Sequence, residues 1–214
     1  LRRLDLDRLK AIRIISIVVS LGGLAEVIAW VSGIEILTSF SREFVTMKFS
    51  TAVSFVMSGM TLYFMAEAAR GEVSKAQVVL PATALVILLF MATQLASVLF
   101  HVETGVERLF IKESPGAVMS VVPGMPSVMT MVDFIILSAT GIAFLFRQNW
   151  ITRMTVAAGA FIAFTGVLAL LGYVLQAPLL YFVVSGISGG MAVPTAFLFI
   201  LVGAGLLLVP GIRR

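Results

Sequence analysis

Six apolar stretches, each long enough to cross a bilayer, fill most of this 214-residue chain. They run near 12–32, 49–66, 78–100, 129–146, 154–175 and 191–209. A spanning helix needs roughly 20 apolar residues, so the second, fourth and sixth stand at the short end. Only 12% of the residues are charged, against about 25% in a soluble domain. The first stretch lacks the small-residue cleavage site of a signal peptide. The reading is an all-α, polytopic membrane protein with a single domain over 1–214.

The pieces around these stretches recur. Trp30-Val-Ser-Gly-Ile-Glu-Ile-Leu37 leads to Met47-Lys-Phe-Ser-Thr-Ala-Val-Ser-Phe55, and Tyr173-Val-Leu-Gln-Ala-Pro-Leu-Leu180 leads to Met191-Ala-Val-Pro-Thr-Ala-Phe-Leu-Phe199. An aromatic residue ends one stretch, a loop follows, and a Met opens the next. Met47 to Gly59 and Met191 to Gly203 are both 12 residues. Such repeats dictate architecture. The expected unit is a pair of membrane helices, present three times in one orientation, which makes a parallel repeat about an axis along the membrane normal. For the middle copy, aligning Met129 with Met47 puts Gly141 on Gly59 and leaves Leu137 where Phe55 and Phe199 stand.

The net charge of +4 follows topology and is no nucleic-acid signature. Eleven basic residues (Arg2, Arg3, Arg8, Lys10, Arg13, Arg70, Lys75, Arg147, Arg153, Arg213 and Arg214) fall on one side. Four (Arg42, Lys48, Arg108 and Lys112) fall on the other. The positive-inside bias then puts both termini in the cytoplasm of a cell-membrane protein. The outer connections, about 33–47, 101–128 and 176–190, are longer than the inner ones, which suggests folded loops with a task. In the second, Val106, Leu109 and Phe110 share a helical face, read as a short helix lying on the membrane surface.

No Cys is present, which removes disulfides, thiolate metal sites and Cys nucleophiles. One His excludes a haem held by two His of one chain. No catalytic constellation, metal site or cofactor is expected. A charge inside a bilayer is a functional hypothesis. Glu26, four residues before Trp30, and Asp133, four past Met129, lie at similar depth; Gln94 is deeper; Lys48 opens the second helix. A bundle would be able to gather Glu26, Lys48 and Asp133 around one cavity. His101 and Glu103 sit at the mouth of the third helix, where a pH or weak metal response is conceivable. Trp30 and Tyr173 read either as an interfacial aromatic belt or as part of the sensing region. Gly159, Ala163 and Gly166 form a small-residue stripe that permits close helix approach, inside the bundle or at a dimer seam.

Three pieces resemble the multi-spanning input region of membrane sensor histidine kinases and some diguanylate cyclases. They are Phe44-Val-Thr-Met-Lys-Phe-Ser-Thr-Ala52 after Trp30 to Leu37, Glu103-Thr-Gly-Val-Glu-Arg-Leu-Phe110, and Gly172-Tyr-Val-Leu-Gln-Ala-Pro-Leu-Leu180 followed by Met191 to Gly203. Ser50-Thr51-Ala52 and Pro194-Thr195-Ala196 match the way that family's re-entering helices begin; the middle copy departs from it. The 112–141 stretch is similar to an ammonia-oxidising archaeal branch. The resemblance implies a sensory domain of a longer protein, a homodimer, with cytoplasmic kinase domains after Arg214 and Pro210-Gly211 at the junction. With a sensing role, the candidate sensing or ligand-binding residues are Glu26, Trp30, Lys48, Gln94, His101, Glu103, Asp133 and Tyr173. The stimulus is open; the apolar lining favours a small apolar ligand or lipid. A membrane transporter or channel, or a structural subunit of a membrane enzyme complex, stands as the alternative.

Overall fold

In a computed structural model the chain is all-helical over the residues described, which are 2–33, 45–102, 105, 123–146, 148–183 and 188–209. The α-helices there are α1 (Arg2–Ser32), α2 (Phe49–Ala69), α3 (Val73–Phe100), α4 (Val128–Phe144), α5 (Asn149–Val174) and α6 (Val193–Leu208). A 3-10 turn, Pro178–Tyr181, lies between α5 and α6. Four helices are long and apolar enough to cross a membrane: α1 over Leu6–Ser32, α2, α3, and α5 over Trp150–Val174. The other two are apolar and shorter, α4 with 17 residues and α6 with 16. The outward faces carry exposed Ile14, Ile17, Leu21 and Ile28 on α1, Leu85 and Leu89 on α3, and Phe161 and Phe164 on α5. So much exposed apolar surface suits lipid tails and not water. The fold is that of a helical membrane protein.

Helix ends differ from the apolar stretches in two places. α1 begins at Arg2, about ten residues early, because Leu, Arg and Lys form helix well without being apolar. Arg13 therefore stands inside a helix, where its Nε donates to Glu67 Oε1 of α2 at 2.9 Å. Its guanidinium also lies 5.8 Å from the centre of the Tyr63 ring. α3 begins at Val73, so Pro81 lies within the helix and not at its start. Pro194, by contrast, is in the first turn of α6, where its missing N–H has no helical partner to lose. The surface helix expected near residues 105–111 lies outside the described residues, Gly105 apart.

The helices pack as antiparallel hairpins, α1 with α2, α3 with α4, and α5 with α6. Each hairpin meets the next, through α2/α3, α4/α5 and α6/α1, so the bundle closes on itself. The three returning helices α2, α4 and α6 meet at the centre. Phe55, Phe134 and Phe199 are there fully buried and in mutual contact. Their ring centroids are 4.8, 4.9 and 4.8 Å apart and the ring planes are inclined by 63°, 59° and 58°. Tilted aromatic pairs at such spacing contribute about 1 kcal/mol each beyond the burial itself.

This centre corrects the alignment of the middle copy by three residues: Phe134, not Leu137, stands with Phe55 and Phe199. The helix starts agree. Lys48, Ser127 and Ala192 are the residues capping α2, α4 and α6, each seven before its Phe. All three are extended, with ψ of 150°, 150° and 152°. Buried Thr51, Thr130 and Thr195 each lie one turn before the Phe. The Met at 129 masked this, because the structural counterpart of Met47 and Met191 is Pro126.

The first and third hairpins share their close approaches. A Cβ on Gly23 would lie 2.7 Å from Ala52 O and 2.8 Å from Val56 N; one on Gly166 would lie 2.6 Å from Ala196 O and 3.2 Å from Ile200 N. Likewise Gly59 backs onto Ser16 and Ser20, and Gly203 onto Gly159 and Ala163. Only glycine lets these backbones meet. The Gly159, Ala163, Gly166 stripe thus faces α6 of its own hairpin.

Candidate functional site

Buried polar side chains gather between hairpins. The leading helices set their position. Burial along α1 falls on Ile12, Ser16, Val19, Glu26 and Ala29, and along α3 on Leu80, Ala84, Ile87, Gln94 and Ser97, a constant offset of 68 residues. Glu26 and Gln94 therefore occupy the same place on two helices. Both are buried, and Glu26 Oε2 and Gln94 Nε2 have no hydrogen-bond partner.

Gln94 belongs to the α2/α3 interface. Its Oε1 accepts from Ser50 Oγ at 3.4 Å. One turn on, Ser54 is fully buried with an unpartnered hydroxyl. Ser58 donates to Ser54 O at 2.7 Å. At the far end the hydroxyls of Thr61 and Thr83 are 2.9 Å apart, and each is also 2.9 Å from a carbonyl of its own helix, Met57 and Val79.

Asp133 belongs to a different interface, α4/α5. It is fully buried; Oδ2 accepts from Thr165 Oγ1 at 2.8 Å, and Oδ1 is unpartnered. Thr165 was not singled out in the sequence, since a Thr in an apolar helix commonly bonds back to its own turn, as it also does to Ile162 O at 2.8 Å. Of Glu26, Lys48 and Asp133, expected to gather around one cavity, Asp133 is bonded to Thr165 of α5. Asp133 thus points to α5. The physical reason is rotation: the residue just before each central Phe turns away from the axis, toward the neighbouring hairpin. That position holds Ser54, Asp133 and Leu198.

Trp30 and Tyr173 do more than line an interface. Trp30 Nε1 donates to Met47 O at 2.8 Å, and Tyr173 OH donates to Met191 O at 2.9 Å. Each bond satisfies a carbonyl of the extended segment that leads into α2 or α6, where no helix supplies a donor. Tyr173 also stacks on Tyr181, with centroids 4.3 Å apart. The start of α4 is held differently: Ser127 caps it, its Oγ accepting from Thr130 N at 3.2 Å. His101 is exposed and ends α3 in the left-handed region at φ 53°. It stands apart from the buried groups. Glu103 lies outside the described residues.

Comparison with protein-family models, curated proteins and solved structures finds no match for this chain.

Proposed function

We propose that the chain is the membrane-embedded input region of a two-component sensor histidine kinase. In this reading all six helices span, as three parallel two-helix repeats, and both termini are cytoplasmic. The domain works as a homodimer, and α6 relays a change of packing to a cytoplasmic kinase. The observation that carries the reading is where polarity lies. The axis among α2, α4 and α6 is closed by three phenylalanine rings, and the buried polar groups sit between hairpins. A transporter needs a polar site or broken helices near mid-membrane on its path. Polar contacts between rigid hairpins instead offer two packings for a stimulus to choose between. The matched helix starts support the threefold repeat, and the close approaches support the kinship of the first and third hairpins. The basic residues at the short-turn end support the orientation. A lipid or small apolar molecule, meeting the exposed apolar faces of α1, α3 and α5, is the stimulus proposed.

Two measurements test it. An antibody against the 101–128 loop, used on source membranes, is expected to reveal a band well above 22.9 kDa that autophosphorylates. A band near 22.9 kDa would overturn the kinase reading in favour of a subunit or transporter. In the full-length protein, Glu26→Gln and Asp133→Asn are expected to change kinase output while the domain stays folded; unchanged output in both would remove their assigned role.

A further inference from the structure

We infer that the seam between α2 and α3 binds a short file of ordered water. The argument rests on the buried seam alone and stands apart from the kinase reading. Ser50, Ser54, Ser58 and Thr61 follow one another along one side of α2, opposite Gln94 and Thr83 of α3. From Ser50 to Thr61 the seam is about 16 Å long at ~1.5 Å rise per residue. Its two ends are bonded across, Ser50 to Gln94 and Thr61 to Thr83. Between them stand two groups with nothing to bond, Gln94 Nε2 and Ser54 Oγ, on residues with no exposed surface.

An unsatisfied buried polar group costs on the order of its desolvation, and lipid offers no remedy. Water does. It needs two to four polar partners, and this seam supplies them: the amide donors of Gln94, the Ser54 hydroxyl as donor or acceptor, and the carbonyls that serine back-bonding leaves with a spare lone pair. The upper pair is already loose, since 3.4 Å is the long limit for a hydroxyl bond. The Thr61–Thr83 pair closes the lower end, as both hydroxyls are engaged at 2.9 Å.

The equivalent seam between α6 and α1 supplies the contrast. Its residues at the four places are Pro194, Leu198, Val202 and Gly205. Leu198 fills the space over Gly22, and Gly205 lies against Ile15 and Leu62. No hydroxyl faces that seam from α6. At these four places α6 thus brings nothing to hold a file of water, whereas α2 does.

The test uses the whole chain in lipid nanodiscs. Ser54→Ala removes one hydroxyl and adds no bulk. If water is bound, the variant loses a coordinating group, and its thermal midpoint falls by about 3 °C, the size expected for one hydrogen bond in a chain of this length. In a dry seam the same change deletes an unsatisfied group, and the midpoint stays or rises; that outcome overturns the proposal. A density map in which the Gln94 side chain is resolved gives the second readout. Density within hydrogen-bond reach of both Nε2 and Ser54 Oγ is expected, and a clean void there overturns the site whatever the variant does.

Discussion

The α2/α3 and α6/α1 interfaces hold the same place around the bundle, each with a buried polar residue on its leading helix (Gln94 and Glu26), and differ in what the returning helix brings to them. In the first, hydroxyls and an amide face each other at hydrogen-bond range. In the second, a leucine sits on a glycine, and another glycine receives an isoleucine. The difference shows how one backbone plan yields unequal joints. An apolar joint is fixed by shape, because cores pack at crystal density and any change of volume is felt. A polar joint is fixed by partners, and partners can be exchanged.

The most damaging way to break the comparison is to remove its shared centre. Phe134→Ala is expected to cost about 4 kcal/mol, as large as Phe55→Ala or Phe199→Ala, measured by unfolding in mixed micelles. A much smaller loss at Phe134 would mean that the middle hairpin does not share the centre equally. Gly203→Val drives a branched side chain into Gly159 and Ala163 and is expected to cost about 3 kcal/mol. Tyr173→Phe, which deletes only the hydroxyl bonded to Met191 O, is expected to cost about 1 kcal/mol. Thr61→Val is expected to cost less, because Thr83 keeps its bond to Val79 O. The last effect sharpens the contrast: Gly205→Ala, at the equivalent place on α6, meets Leu62 at 3.1 Å and tightens an apolar joint without touching a hydrogen bond.

Orientation is open to a clean experiment, since the chain has no cysteine. Single cysteines at Gly71 and Gly105 are expected to react oppositely with an impermeant thiol reagent applied to intact cells, Gly105 labelled and Gly71 protected. Labelling of both, or the reverse pattern, would refute the proposed topology.

Much of the helical plan was legible in the sequence, because continuous apolar runs bounded by Gly, Pro and charge leave few alternatives. The recurring aromatic and Met were legible too, and the structure joins them by hydrogen bonds that no pattern of hydrophobicity could express. Phe134 was obscured by Met129 and Gly141, which offered a plausible alignment three residues away; the Thr that precedes each central Phe by four was the better guide. The sequence marked Glu26 and Asp133 as buried polar groups at similar depth, with Gln94 deeper. It could not say that they face different interfaces, since that depends on helix rotation, which a few residues of register decide. Ser54 and Thr165 were invisible for another reason: small hydroxyls in apolar helices usually satisfy themselves.

The three central rings also constrain motion. Each phenyl group touches both of the others with its plane inclined by about 60°. Three rotors engaged pairwise in a closed set cannot all turn, for the same reason that three meshed gears jam. Slow flipping of Phe55, Phe134 and Phe199 in ring-resolved NMR is the expected signature of this packing.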